Sequence, residues 1–207
     1  TLEAIKNPDC GWFYRVQSDE FKKIPGSPIT YWVSDRVRNI FGKGEPLAKY
    51  ADLKQGLATA DNNQFLRLWF EVSKNKIGFN YKSSLEAEHS KKKWFPYNKG
   101  GEFRRWYGNQ LFIVNWENDG ERIKQLRPKS VVRNEKTYFT ESLSWSKVTS
   151  STFSLRYYPN GFIYDVAGCS IFIKKNGNKE FILGVLNSLV MDNTIGKISP
   201  TLNFEVG

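Results

Sequence analysis

The chain has 207 residues, 40% hydrophobic and 25% charged, enough to bury a core as one large domain or two small ones. Lys and Arg number 31 against 21 Asp and Glu, a formal charge of +10, which favours a polyanionic partner, either nucleic acid or an anionic membrane face. No apolar run approaches the roughly 20 residues needed to span a bilayer, and two cysteines with one histidine argue against a disulfide framework or a Cys/His zinc site.

In chain order, DCGWFYRV (9–16) predicts an aromatic strand. SPITYWVSDRVRNIF (27–41) predicts a helix, with Ser27 as its cap, Pro28 in the first turn and Val33, Val37, Ile40 and Phe41 on one face. GKGEP then breaks it. These form a strand–helix segment, residues 1–50, leading into the main body, residues 51–207. Gln64–Val72 alternates well enough to predict a strand, and SSLEAEHSKKK (83–93) a short exposed helix or an excursion from the body. Leu111–Trp116 has the length of a strand, and ENDGERIKQL (117–126) reads as a turn followed by a short helix. SWSKVTSSTFSLRYY (144–158), NGFIYDVAG (160–168) and CSIFIKK (169–175) are β-rich, with turn signals at Pro159-Asn160-Gly161 and Asn176-Gly177-Asn178. EFILGVLNSLVMDN (180–193) predicts a helix whose apolar face holds Phe181, Ile182, Val185, Leu186 and Leu189, and PTLNFEVG (200–207) a closing strand. The fold class expected is mixed α+β, β-rich.

The widely separated Cys10 and Cys169 suit a reducing cytoplasm. The N-terminus lacks the pattern of a secretory signal. It begins at Thr1 rather than Met, so a piece of a longer chain is expected.

The usual enzymatic tools are missing from the sequence. His89 stands alone in a charged helix, and there is neither a Walker A loop nor a GxGxxG. Asp9 with Glu20-Phe21-Lys22 imitates the acid-x-Lys spacing of metal-dependent nucleases. Such triplets also arise by chance, as at Asp52-Leu53-Lys54, and a turn with a helix start explains it equally well.

Two stretches carry chemistry suited to a polyanion. KWFPYNKGGEFRRWYGNQLFIVNW (93–116), with Lys91 and Lys92 before it, interleaves Lys93, Lys99, Arg104 and Arg105 with Trp94, Tyr97, Trp106 and Tyr107. The cations would neutralise phosphates, and Gly100-Gly101 would let backbone approach one. About half of the aromatics, Trp106 and Trp116 especially, are read as core. Ser146–Gly161 is dense in hydroxyls and adds Lys147, Ser150, Arg156, Tyr158 and Asn160, groups that suit phosphate and base-edge contacts. A Ser/Thr-rich strand is its competing reading.

FKKIPGSPITYWVS (21–34), GLATADNNQFLRLWFEV (56–72), KWFPYNKGGEFRRWYGN (93–109), SWSKVTSSTFSLRYYPNGFIYDVAGCSIF (144–172) and PTLNFEVG (200–207) together resemble the adenine-specific DNA methyltransferases of BREX phage-exclusion systems and related type II restriction-modification methylases. The resemblance covers nearly the whole chain, in the same order. It falls on the part after the catalytic domain, where those proteins resemble the target-recognition domains of type I restriction specificity subunits. The family phrase G-L-x-T-G-D-N maps onto Gly56, Leu57, Thr59, Ala60, Asp61 and Asn62. Ala60 stands where glycine is usual, which argues against a role there that needs positive φ. Neither an Asn-Pro-Pro-Tyr-like motif nor a glycine-rich S-adenosylmethionine motif occurs.

The resemblance therefore implies a DNA target-recognition region that does not methylate alone and takes no cofactor itself, in a longer protein that uses S-adenosylmethionine. The expected partners are double-stranded DNA, a catalytic domain of the same chain and other defence-system proteins, with no membrane. The candidate DNA contacts are Thr59, Asn62, Lys92, Lys93, Tyr97, Lys99, Arg104, Arg105, Lys147, Ser150, Arg156, Tyr158 and Asn160. The alternative is a protein-interaction domain of a defence complex without direct DNA reading.

Overall fold

A computed structural model describes residues 2–198, 203, 204 and 206. It is a mixed α+β fold built around two four-stranded sheets. The first has the order β1-β8-β5-β6, all antiparallel: β1 is Ala51–Lys54, β5 Ser142–Ser146, β6 Arg156–Tyr158 and β8 Gly168–Ile173. In the second, of order β2-β4-β3-β7, β2 is Leu66–Leu68, β3 Trp94–Asn98, β4 Phe112–Asn115 and β7 Ile163–Tyr164. Only β7 runs parallel to its neighbour, β3.

The period of two along each strand sorts its side chains. Sheet two turns Phe95, Tyr97 and Val114 to one face, where they pack with Phe65, Trp116, Ile123, Tyr138 and Phe139. Its other face carries Trp94 and Ile113, covered by Ile77 and Val72. Sheet one sends Leu143, Trp145, Cys169 and Ile171 into a separate cluster with Leu155 and Ile182. The alternate residues of β5, Ser142, Ser144 and Ser146, are buried too. A polar seam joins the sheets there. Asn98 Nδ2 donates to Ser144 Oγ (2.7 Å), which donates to the Cys169 carbonyl (2.7 Å).

Eight helices decorate this frame among the described residues: α1 Leu2–Lys6, α2 Ser18–Phe21, α3 Asp35–Lys43, α4 Asn62–Phe65, α5 Ser84–His89, α6 Glu117–Lys124, α7 Lys179–Leu186 and α8 Leu189–Ile198. Local chemistry explains their starts. Ser83 Oγ accepts from Glu86 N, Asp61 Oδ1 from Gln64 N and Asn178 Oδ1 from Phe181 N, each side chain satisfying an orphan helical N–H. In α6, Asn118, Asp119 and Gly120 all have positive φ before the helix proper, the expected turn followed by a helix. Strand β4, helix α5 and strand β8 also match their predicted segments.

Several expectations fail. Residues 9–16 pair with no strand, and Trp12 and Tyr14 lie exposed; aromatic content without a ladder partner did not make a strand. The helix predicted from Ser27 begins only at Asp35, after Ser34 in extended backbone conformation. Ser27 has φ 47°, and the β-branched and aromatic residues Ile29–Val33 are poor helix formers. Gln64–Val72 divides into α4, β2 and a 3₁₀ turn at Trp69–Glu71. The helix over 180–193 is broken at Asn187, whose amide is buried and bonds both Leu155 N (2.8 Å) and Leu155 O (2.9 Å). Of its predicted face, Ile182 is buried while Phe181, Val185 and Leu189 are exposed. Most of the predicted closing strand, 200–207, lies outside the described residues; Asn203 makes an isolated antiparallel bridge with Val148.

Candidate nucleic-acid interface

The two stretches singled out in the sequence come together in space. After β3, Gly100 (φ 79°) and Gly101 (φ 122°) turn the chain into a loop that ends at Asn109. A Cβ on Gly100 would stand 2.8 Å from the Ala167 carbonyl, so both its conformation and its setting require glycine. Asn109 Nδ2 donates to the Glu102 carbonyl (2.8 Å) and closes the loop. The segment before β6 supports it from beneath. Ser146 Oγ donates to the Gly101 carbonyl (2.6 Å), Arg104 N to Ser154 Oγ (3.4 Å), Trp106 N to the Leu155 carbonyl (3.0 Å) and Tyr157 N to the Trp106 carbonyl (2.9 Å).

Pairing with residues 155–157 holds Trp106 at φ 73° and leaves its ring 53% exposed. This corrects the reading of Trp106 as core; Trp116, at 2% exposed, is core as expected. The loop therefore shows solvent an aromatic and cationic surface of Phe103, Arg104, Trp106 and Tyr107. Beside it lies the hydroxyl-rich segment with the exposed Ser150 and half-buried Lys147.

The cations differ in how free they are. Arg104 is exposed and its guanidinium has no ion-pair partner among the described residues. Arg105 pairs with Asp192 of α8 (2.7 Å) and lies over the Phe103 ring. Lys92 donates to the Asn75 carbonyl, and Lys93 pairs with Glu117 (3.5 Å). Lys99 is held 2.6 Å from the buried Asp165, which also accepts from the Tyr97 hydroxyl (2.7 Å) and the Ala167 amide (2.7 Å).

Four candidate contacts are inside the protein and cannot touch a ligand as it stands. Tyr97, Arg156 and Tyr158 are each 0% exposed and Thr59 is 2% exposed. Burial pushes the Tyr97 hydroxyl well above its ordinary range and that of Tyr158 up to about 12. Tyr158 donates to the Asn109 carbonyl (3.0 Å), bracing the end of the loop. Arg156 donates to Ser146 Oγ (3.0 Å), while its Nε and Nη1 have no hydrogen-bond partner among the described residues. Burial pulls its pKa down, yet a guanidinium stays charged. Asn160 is half-buried and its Oδ1 accepts from Glu141 N (3.0 Å).

The Gly56–Asn62 phrase is chiefly a folding device. A Cβ on Gly56 would fall 1.9 Å from the Tyr164 carbonyl, and Leu57 N donates to that carbonyl (2.8 Å). Thr59 Oγ1 donates to Asn62 Oδ1 (2.8 Å). Ala60 has φ 69°, so the backbone here does take the conformation that favours glycine, against the expectation drawn from its alanine. Only Asn62 of this phrase's two candidates is exposed.

The metal-site imitation does not assemble. Glu20 pairs with Lys23 (2.8 Å) and Arg38 (3.6 Å), and no group of three or more His, Cys, Asp or Glu suited to a metal occurs among the described residues. A cleft of about 770 Å3 runs along β1 and is lined by no residue of either loop; its Lys174 is bound to Asp52 (3.1 Å). No helix among the described residues is long and apolar enough to cross a membrane.

Sequence comparison places the chain. It is 38% identical over 213 aligned residues to the adenine-specific methyltransferase PglX of Lacticaseibacillus casei (strain Zhang), covering 100% of this chain and 18% of that protein. It is 40% identical over 198 residues to the adenine-specific methyltransferase BrxX of Escherichia coli O9:H4 (strain HS), covering 94% of this chain and 16% of the relative. No family model matches. The chain is thus homologous to a segment of adenine-specific methyltransferases, as its phrases implied, and spans less than a fifth of the length of the curated relatives it matches.

Proposed function

We propose that this chain is the target-recognition region of an S-adenosylmethionine-dependent N6-adenine DNA methyltransferase in a restriction-modification or phage-defence system. In this reading residues 1–50 lead into a DNA-reading body, residues 51–207. It grips double-stranded DNA in the cytoplasm while a catalytic domain elsewhere in the longer protein binds the cofactor and methylates an extruded adenine. The chain itself does not transfer methyl groups.

The observation that carries this reading is the joined pair of loops, where Arg104, without an ion-pair partner among the described residues, stands in one loop with exposed Trp106 and Tyr107, and the segment packed against that loop carries the exposed Ser150. A mobile cation neutralises phosphate and releases counterions, and flat rings and hydroxyls suit bases and sugar-phosphate oxygens. The homology to adenine-specific methyltransferases supports DNA as the polyanion.

Duplex binding measured over a salt series tests it. The log of the affinity should fall linearly with log salt, and Arg104→Ala should lower that slope by roughly one unit on cognate and scrambled duplexes alike. Binding that ignores salt would favour an apolar protein-interaction surface instead.

A further inference from the structure

A cavity of about 340 Å3 opens on the outer face of sheet two, within the usual range of small-ligand sites. Its floor is the cross-strand pair Pro96 and Ile113, which alternation places on the face opposite the main core. Exposed rings of Trp69, Phe79 and Tyr107 form its walls, 49%, 41% and 59% exposed respectively. Trp69 is fixed by its backbone N–H on the Leu111 carbonyl (2.9 Å), and Phe162, another lining ring, packs edge-on against Tyr158.

Three amide-bearing residues are among those lining this aromatic slot: Gln110, Asn80 and Asn160. The Gln110 Nε2 is itself inaccessible to water and has no hydrogen-bond partner among the described residues, so Gln110 contributes packing rather than a donor. Asn80, at φ 61°, forms no side-chain hydrogen bond among the described residues. Asn160 uses its Oδ1 on Glu141 N and keeps its N–H donors. Tyr107 belongs both to this wall and to the loop that displays Arg104.

We propose that this cavity binds a single unstacked nucleobase. Apolar floor and ring walls would take the faces of a planar group, and every base offers such a face. The amides of Asn80 and Asn160 would take its edge, where a base carries both donors and acceptors. A phenyl or alkyl group would fill the slot but offer the amides of Asn80 and Asn160 no partner. The adjoining Arg104 would meet the phosphate attached to the base. The inference rests on the DNA-binding reading for its source of bases, although a free nucleoside carries the same chemistry.

The test uses the 207-residue chain with three probes: a matched duplex, the same duplex with one unpaired purine, and free adenosine or guanosine. The unpaired purine should strengthen binding about ten-fold over the matched duplex, the scale expected of one stacked base. Trp69→Ala and Phe79→Ala should each bring that ratio near one while leaving matched-duplex affinity within about two-fold. Circular dichroism verifies that both variants fold. Saturable adenosine binding that Trp69→Ala abolishes, without preference for the unpaired duplex, would support the site with free nucleosides as its source. No preference together with no saturable nucleoside binding would overturn the inference. Loss of all duplex binding with nucleoside binding intact would instead defeat the DNA-binding reading and leave the cavity's assignment standing.

Discussion

Replacing Lys99 with methionine separates a strut from a phosphate contact. Lys99 Nζ lies 2.6 Å from Asp165 Oδ2, and the Asp165 side chain is only 2% exposed. The substitution keeps the methylenes and removes the charge, leaving a buried carboxylate with the Tyr97 hydroxyl and the Ala167 amide as its donors. Breaking a buried pair by removing one partner costs about 3–5 kcal/mol. Because the Lys99 side chain is 29% exposed, water reaches the pair, and a loss of about 2–3 kcal/mol is the better expectation. Urea unfolding should therefore show a midpoint lowered by on the order of 1 M at unchanged slope. Combining Lys99→Met with Asp165→Asn should recover about 1 kcal/mol, the signature of coupled neighbours. Duplex affinity of the folded Lys99→Met protein should keep the wild-type salt slope. A stability change below about 0.5 kcal/mol together with a slope reduced by one unit would refute this reasoning and return Lys99 to the DNA surface.

Two further outcomes follow from backbone and burial. Ala60 is exposed at φ 69°, a conformation costing an L-residue about 1–2 kcal/mol, so Ala60→Gly should stabilise by about 0.5–1 kcal/mol after glycine's entropic cost; thermal or urea unfolding reads this, and destabilisation would show that the turn is not strained. Tyr97, Tyr138, Tyr158 and Tyr164 all have their hydroxyls pushed up chiefly by burial, Tyr158 and Tyr164 to about 12. The folded state holds these protons more tightly than an unfolded chain with tyrosine pKa near about 10, so stability is intact below about pH 10 and falls as pH climbs toward about 12. After the exposed tyrosines have ionised near about pH 10, the remaining tyrosinate absorbance should rise together with the loss of secondary structure; graded ionisation of these four in a still-folded protein would contradict it.

Elements with local causes were legible in the sequence. An apolar run of strand length gave β4, a Ser-capped charged stretch gave α5, and Asn-Asp-Gly gave the left-handed turn into α6. What escaped depends on distant partners. Asn187 breaks the last helical stretch because Leu155, 32 residues earlier in the chain, offers it both backbone groups. Trp106 sits outside because residues 155–157 fix its backbone with positive φ, which aromatic content cannot reveal. The positive knot was visible as charge, but not that Asp165 and Asp192, 66 and 87 residues away in sequence, would occupy Lys99 and Arg105.

The corrected residues bear on the site even though they do not line it. Tyr158 braces the Asn109 end of the loop, and Ser146, held by Arg156, braces the Gly101 end. Asp165 ties β3 to the turn before β8 through Tyr97, Lys99 and Ala167. Groups chosen from sequence because they hydrogen-bond and carry charge thus do so inward, against backbone that must stay open to display Arg104 and Trp106. Burying Arg156 without a carboxylate is costly, and hydrophobic contact alone would not fix a loop so short of regular pairing. In the sequence the density of polar and aromatic residues marks the place of the proposed interface. Which of them face solvent is decided by register: Arg156 lies opposite Ser144 on the buried face of sheet one, and the neighbouring loop, tied to β6 through the isolated Trp106–Arg156 bridge, carries the exposed cation.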